Sequence, residues 1–245
     1  MVAPTELSPS FHPGAVEDAV RIVAFDVDGT LVEHDRGLVV WQVLNRLFIG
    51  NAQLNTERFQ AFQAGELTYE QWVQLDIEGW QDGGATRQAI ERAIREELRL
   101  VPGARVVTRT LRERGYAVVV VSGTLDIVID TLFPEHPFER IFSNRIRFDD
   151  TGLIAGWTAT PFDMAGKADA LRLLSRDEGL TPDQFAFIGD HVNDLDALRL
   201  VGCPIAYDPK DDAVRHAAKH VLPRGGLRRL LDIFPGPRRT PLADT

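Results

Sequence analysis

Short apolar runs alternate with amphipathic stretches along most of the chain. Five runs lack polar alternation and end at a glycine or a polar residue, which is typical of strands buried on both faces of a parallel sheet. They lie at residues 21–26, 117–122, 140–143, 184–189 and 203–207. Helical patterns separate them at residues 103–114, 166–178, 194–200 and 211–218. This alternation predicts βαβ units, and therefore a Rossmann-like, doubly wound α/β fold with a parallel sheet.

Residues 35–100 interrupt the alternation. They show only helical patterns, at residues 38–48, 56–64, 68–78 and 86–98. We therefore expect a small all-helical domain, inserted after the first strand into a core formed by residues 18–34 and 101–233. Segments that follow sheet strands commonly carry specificity. The proline-containing ends, residues 1–17 and 234–245, are predicted to be a flexible arm and a flexible tail.

Three of the predicted strands end in a polar side chain, at Asp26, Ser122 and Asp190. In doubly wound sheets the ligand site lies outside the carboxyl ends of the strands. Asp26 and Asp28 are two residues apart and point the same way in an extended segment. Their like charges are costly side by side unless a cation or a shared proton compensates. Mg²⁺, which is held by carboxylates together with substrate phosphate, is the natural partner, and Asp190 can complete its ligand set.

Further polar groups lie at the predicted starts of helices. Lys167 begins a helix, where its charge opposes the helix dipole. Ser122 and Gly123 come before another helix, where hydroxyl and main-chain N–H groups can bind an anion. Asn193 and Asp194 follow Asp190 in a first helical turn, a position that also suits capping.

Taken together, these segments resemble the four motifs of the haloacid dehalogenase-like superfamily of phosphatases, in the order of that family. The matching residues are Asp26-Val-Asp28-Gly-Thr-Leu, then Ser122, then Lys167, then Gly189-Asp190 with Asn193-Asp194. The resemblance covers about residues 21–222, and the helical insert resembles a type-1 cap of that family. Residues 143–156 and 65–70 are similar to the phosphoserine-phosphatase-like branch.

The resemblance implies a two-step phosphoryl transfer. Asp26 would attack phosphorus and form an aspartyl-phosphate, and Asp28 would protonate the leaving alcohol and then activate water; with Lys167 these are the implied catalytic residues. The implied phosphate-binding groups are Gly29, Thr30, Ser122, Gly123, Lys167 and Asn193. The implied Mg²⁺ ligands are Asp26, Asp28 through its carbonyl, and Asp190, with Asp194 supporting them.

The cap departs from the phosphoserine-phosphatase pattern. Those enzymes hold the substrate amine with an acid soon after the first motif, where this chain has Asp35, and the substrate carboxylate with a cap arginine, where it has Asp76. The candidate cap contacts are therefore Asp35, Arg46, Trp72 and Asp76, with Arg46 or Arg58 as a replacement cation. The cap is aromatic and in places acidic, which favours a neutral or amine-bearing leaving group over one that bears a carboxylate; the acidic positions are Asp35, Glu70, Asp76 and Glu78.

Composition narrows the function classes. The chain of 245 residues has 27 Lys+Arg and 36 Asp+Glu, so its formal charge is −9. That balance argues against general binding to nucleic acid or anionic membranes, and the apolar runs are too short to span a bilayer. A single cysteine, Cys203, excludes an internal disulfide. Without a secretory pattern at the start, we expect a cytoplasmic protein whose partner is a small phosphate ester; the oligomeric state is not predicted.

Several alternatives stay open. Phosphoserine phosphatase proper, a phosphotransferase and a phosphomutase would use the same residues. A haloacid dehalogenase needs no metal, and Asp28 argues against it. A regulator that only stores phosphate on Asp26 is disfavoured by Asp28 and by the cap. His191, inside the fourth motif, is either a substrate contact or a partly exposed loop residue.

Overall fold

The computed structural model describes residues 19–236. The strands in this range are β1 (Ile22–Phe25), β2 (Val32–His34), β3 (Leu98–Leu100), β4 (Ala117–Leu125), β5 (Arg140–Phe148), β6 (Ile154–Thr158), β7 (Phe185–Gly189), β8 (Cys203–Tyr207) and β9 (His220–Leu222). Seven of them form one sheet in the order β6-β5-β4-β1-β7-β8-β9. All its pairings are parallel except that of β5 with β6. The predicted doubly wound α/β fold is confirmed.

Helices cover both faces of this sheet. The helices are α1 (Val40–Leu44), α2 (Leu54–Gln63), α3 (Tyr69–Asp82), α4 (Arg87–Glu97), α5 (Ala104–Glu113), α6 (Asp126–Leu132), α7 (Lys167–Glu178), α8 (Leu195–Leu200), α9 (Asp212–Ala217) and α10 (Leu230–Ile233). Alternate residues of a strand point to opposite faces. Accordingly, Ile22 and Ala24 of β1 pack in a cluster with α7 and α8, and Val23 and Phe25 pack in a larger cluster with α5 and α6. This two-sided burial explains why β1 shows no polar alternation.

The insert is built from α1 to α4, with a π-helix at Asn45–Ile49 that continues α1. Thr68 caps α3: its hydroxyl accepts the N–H of Gln71, whose side chain accepts the N–H of Thr68 in return. One expectation is wrong at the edge of the insert. The insert is predicted to be all-helical, with its last helix ending at Leu98, but Leu98–Leu100 form β3, which pairs antiparallel with β2. A three-residue strand is too short for its pattern to be recognised.

Two regions of the core differ from the sequence-based prediction. The hairpin-like segment at residues 143–156 extends β5 to Phe148 and returns as the antiparallel β6. Phe234, predicted to begin a flexible tail, is fully buried and packs edge-on against Tyr116, with 5.5 Å between the ring centroids. The N-terminal arm at residues 1–17 and the tail beyond residue 236 lie outside the described residues. Within residues 19–236, no helix is both long and apolar enough to cross a membrane.

Candidate active site

The polar strand ends meet at one edge of the sheet. Asp26 directly follows β1, Asp190 directly follows β7, and Ser122 lies near the end of β4. Because β1 lies between β4 and β7, these three side chains converge. They line a cavity of about 680 Å³ that is covered on its other side by the insert, which we call the cap.

Lys167 is the cation of this site. It is the first residue of α7 and only 1% exposed. Its Nζ lies 2.8 Å from Asp26 Oδ1 and 2.7 Å from Asp194 Oδ1. Burial opposes the charged form of this lysine, but the carboxylates of Asp194 and Asp26 outweigh burial and raise its pKa. The position that is unfavourable for the helix dipole is therefore stabilised by two buried ion pairs.

Asp194 organises the loop that follows β7. Its Oδ2 accepts the main-chain N–H groups of Asp190 and His191, at 2.9 and 3.1 Å, while Oδ1 accepts from Lys167. Gly189 makes room for it, since a Cβ there would lie 2.4 Å from the Asp194 carboxyl carbon. Both oxygens of Asp194 are thus engaged by the protein. His191 lines the cavity with an exposed side chain, so its two interpretations stay open.

Asp190 is a candidate ligand for a metal ion. It is 4% exposed, and its Oδ1 has no hydrogen-bond partner among the described residues. Burial raises its pKa, as do the nearby charges of Asp194 and Asp26. One oxygen from each of these three carboxylates lies within 4.8 Å of the others. Three buried carboxylates beside one lysine leave an excess of negative charge, and their hard oxygen donors suit Mg²⁺.

Asp28 is more exposed to the cavity than the three buried acids Asp26, Asp190 and Asp194. It is partly buried and lines the cavity, and burial together with the charge of Asp26 raises its pKa to about 7. The main-chain N–H of Val40, the first residue of α1, approaches its Oδ1 at 3.4 Å. A carboxyl group with this pKa is able to give and take a proton near neutrality.

The residues around Ser122 form an irregular strand end rather than the helix start expected from the sequence. β4 continues to Leu125, and α6 begins only at Asp126. The register between β4 and β5 shifts between Val121 and Leu125, as in a β-bulge. Ser122 and Gly123 sit in this irregular segment and line the cavity. Of the implied phosphate-binding residues, Gly29 and Asn193 also line it, whereas Thr30 and Lys167 are buried and do not.

Comparisons with known proteins identify the family of the chain. Residues 23–199 match the model of the haloacid dehalogenase-like hydrolase family. The chain belongs to that family. It is 34% identical over 203 residues to a phosphoserine phosphatase of Streptomyces coelicolor, covering 82% of this chain and 47% of the relative. It is 33% identical over 226 residues to the phosphoserine phosphatase SerB2 of Mycobacterium tuberculosis, covering 89% of this chain and 53% of that protein. The chain thus spans about half the length of these two relatives.

Solved structures show the same fold. A phosphoserine phosphatase described as a phospho-aspartyl intermediate analogue has a TM-score of 0.68 at 23% identity, covering 87% of this chain and 98% of that one. A HAD family hydrolase from Salmonella enterica serovar Typhi has a TM-score of 0.70 at 23% identity, covering 86% of this chain and 70% of the other.

In this haloacid dehalogenase-like hydrolase, cap and core meet at the main-chain oxygen of Gly123. Trp41 Nε1 of the cap donates to it at 2.8 Å, and Asn144 Nδ2 of β5 donates to it at 2.7 Å. Asn144 Nδ2 also donates to the Tyr69 hydroxyl oxygen at 2.7 Å, while Asn144 Oδ1 accepts the N–H of Thr160. Sequence reasoning did not single out Asn144 or Tyr69 as site residues, because their roles depend on contacts between distant segments.

The four candidate cap contacts separate into two pairs. Trp72 lines the cavity, and Asp35 lines its mouth with a 72% exposed side chain paired with Arg99. Arg46 does not line the cavity and pairs with Glu97 at 2.9 Å. Asp76 is fully buried within the cap, where Asn45 and Arg58 donate to it. The structure therefore brings Asp35 and Trp72 to the cavity but not Arg46 or Asp76.

Proposed function

We propose that this chain is a Mg²⁺-dependent phosphatase that hydrolyses a small phosphate monoester through an aspartyl-phosphate on Asp26. The observation that carries the proposal is the position of Asp26. Its carboxylate is buried at the floor of the cavity and oriented by Lys167, with Asp28 two residues further along the chain. The names of the relatives support a phosphatase activity.

The chemistry requires two proton transfers by Asp28. In the first step, an oxygen of Asp26 attacks phosphorus and the P–O bond to the alcohol breaks, while protonated Asp28 gives its proton to the departing oxygen. In the second step, ionised Asp28 takes a proton from water, which attacks the phosphorus and releases Asp26 and inorganic phosphate. The raised pKa of Asp28 suits both roles, because each protonation state is accessible near neutral pH.

The phosphoryl oxygens are bound by Ser122, the N–H of Gly123, Asn193 and Lys167 in this proposal. Asp26, Asp190 and the carbonyl of Asp28 would hold Mg²⁺. When bound, Mg²⁺ supplies positive charge that lowers the repulsion between the nucleophile and the anionic phosphoryl group. The cap excludes bulk water from this charge-dense region.

Substitution of the two aspartates tests the proposal. Asp26→Asn should abolish hydrolysis of both p-nitrophenyl phosphate and a simple alkyl phosphate. Asp28→Asn should slow the alkyl ester by a factor of about 10²–10⁴, and slow p-nitrophenyl phosphate much less, because nitrophenolate leaves without protonation. Asp169→Asn is the matched control, since Asp169 is exposed and, within residues 19–236, its one ion pair is with Arg172 on α7.

A trapped intermediate gives a direct readout. Acid quenching during turnover should leave a phosphate mass on the peptide containing Asp26, and EDTA should abolish turnover until Mg²⁺ is added back. Full activity of Asp26→Asn would refute the nucleophile assignment, and EDTA-resistant turnover would refute the metal.

A further inference from the structure

We propose that the leaving group is an alcohol that carries an ammonium group and no carboxylate, bound between Asp163 and an aromatic wall formed by Phe59, Tyr69 and Trp72. This inference rests on the proposed phosphatase function and specifies the substrate class of the same site. None of these four residues was assigned a role in binding the phosphoryl group or the metal.

The aromatic wall is one continuous surface on the cap side of the cavity. Trp72 is its centre, with ring centroids 6.0 Å from Tyr69 and 6.2 Å from Phe59. All three residues line the cavity. The faces of such rings attract cations, and clusters of them bind quaternary ammonium groups. The same faces have no group that pairs with a carboxylate.

Asp163 places a negative charge at the end of this wall that is nearest to the phosphoryl site. Its carboxylate packs on Gly123: a Cβ added to that glycine would lie 1.9 Å from Asp163 Oδ2. It accepts a hydrogen bond from Asn193 Nδ2 at 3.3 Å. Burial raises the pKa of the Tyr69 hydroxyl, and the nearby charge of Asp163 raises it further. Within residues 19–236, no Lys, Arg or His nitrogen lies within 4.0 Å of the carboxylate oxygens of Asp163, and its charge acts on Lys167, whose pKa it helps to raise.

A carboxylate in this position affects which substrates bind well. It repels a phosphate dianion that approaches Gly123, and it also repels a second anion on the leaving group. An ammonium group a short spacer away from the phosphate ester would lie between Asp163 and the rings, and its charge would offset the repulsion. The location of Asp163 therefore favours a zwitterionic ester such as phosphoethanolamine or phosphocholine.

The cap contributes no arginine to the lining of the cavity. Residues 35–100, all of which the structure describes, contain seven arginines and no lysine, and none of these arginines lines the cavity. Arg58 is paired with the buried Asp76, and Arg46 with Glu97. At the cavity mouth, Lys210 and Arg224 are already paired, with Asp208 at 2.8 Å and Glu33 at 3.0 Å. A substrate carboxylate would thus have to displace an existing ion pair.

Two matched pairs of esters test the inference on the full chain with Mg²⁺. Phosphocholine and 3,3-dimethylbutyl phosphate have the same shape and differ by one positive charge. We expect kcat/KM to favour phosphocholine by about 10-fold. Phosphoethanolamine and phosphoserine differ by a carboxylate, and we expect phosphoethanolamine to be preferred. Equal or reversed preference in either pair would overturn the inference while leaving the proposed function intact, because the neutral ester would still be hydrolysed.

Variants then locate the subsite. Asp163→Asn and Trp72→Leu should each lower the ratio of kcat/KM for phosphocholine to that for 3,3-dimethylbutyl phosphate, whereas the control Asp169→Asn should keep the wild-type ratio. A ratio unchanged in both folded variants would overturn the assignment of these residues. If none of the four esters nor p-nitrophenyl phosphate is hydrolysed, the proposed function fails, and this inference fails with it.

Discussion

Replacement of Lys167 by methionine removes one buried positive charge and keeps most of the side-chain volume. In the wild type, Nζ lies 2.8 Å from Asp26 and 2.7 Å from Asp194, with 1% of the lysine exposed. At an effective dielectric constant of about 20, each of these contacts is worth roughly 6 kcal/mol of Coulomb energy. Desolvation of the three ions cancels much of this sum in the intact protein.

The variant keeps the desolvation cost of the carboxylates and loses their counter-charge. We therefore expect the free energy of unfolding to fall by about 3–5 kcal/mol at neutral pH, which is the usual loss when one partner of a buried ion pair is removed. Protonation of the carboxylates can relieve part of this cost. Burial raises the pKa values of Asp190 and Asp194, and the charge of Lys167 opposes this rise. Without Lys167 these pKa values rise further in the folded variant, which then takes up protons more readily, so the loss should be smaller at pH 5 than at pH 8.

Urea unfolding followed by circular dichroism, with EDTA present to remove divalent cations, measures this difference. The matched control is Arg172→Met, since Arg172 is 57% exposed, pairs with Asp169 on its own helix and should change stability by less than about 0.5 kcal/mol. Added Mg²⁺ should stabilise Lys167→Met, because the metal supplies positive charge to the same carboxylates. A loss below about 1 kcal/mol, or one equal to that of Arg172→Met, would show that the carboxylates do not depend on Lys167.

Three further predictions concern packing, backbone and charge. Phe234→Ala should lower the free energy of unfolding by about 3–5 kcal/mol, because it empties a buried site against Tyr116; chemical denaturation measures it, and an effect below about 1 kcal/mol would place Phe234 in a flexible tail after all. Gly29→Ala should remove most activity, because Gly29 has φ +86° and a Cβ would lie 2.2 Å from Asp190 Oδ2; wild-type kcat/KM in the variant would contradict this. Burial raises the pKa of Asp76, so the folded state binds the carboxyl proton of Asp76 more tightly than the unfolded chain does. The wild type should therefore lose stability relative to Asp76→Asn as pH rises above about 4. If unfolding curves at pH 4.5 and pH 7.5 give the same stability difference between the two proteins, this prediction is refuted.

The fold and the floor of the site could be predicted from sequence because their signals are local. An apolar run that ends in a polar residue shows both a buried strand and its carboxyl end. Asp26 and Asp190 carry this signal, and the rule that ligands bind at strand ends brings them together. Lys167 stands out because its charge is wrong for a helix start, and the structure shows the carboxylates that compensate for it.

The roles of Asp163, Asn144 and Phe234 could not be predicted in this way. Asp163 and Asn144 lie in segments without a periodic pattern, and each acquires its role from Gly123 and Tyr69, which are distant along the chain. The burial of Phe234 also depends on a distant contact. The proline-rich composition of the C-terminal residues predicts a tail, whereas the ring of Phe234 packs against Tyr116, which lies far earlier in the sequence.

The buried Asp76 of the cap explains why Arg58 does not line the cavity. Asp76 accepts from Asn45 Nδ2 at 2.7 Å, and Asn45 Oδ1 accepts from Trp80 Nε1 at 2.6 Å. Trp80 in turn packs on Trp41, with 5.2 Å between the centroids, and Trp41 donates to the main-chain oxygen of Gly123. Asp76, which pairs with Arg58, therefore belongs to the same series of contacts that connects the cap to Gly123. The substitution Asp76→Arg would add a positive charge to the cap. It would also disrupt the contacts between the cap and Gly123, because a hydrogen-bond donor would replace the acceptor that Asn45 requires. The proposed preference for a leaving group without a carboxylate would thus depend on the packing of the cap, and a single substitution is not expected to reverse it.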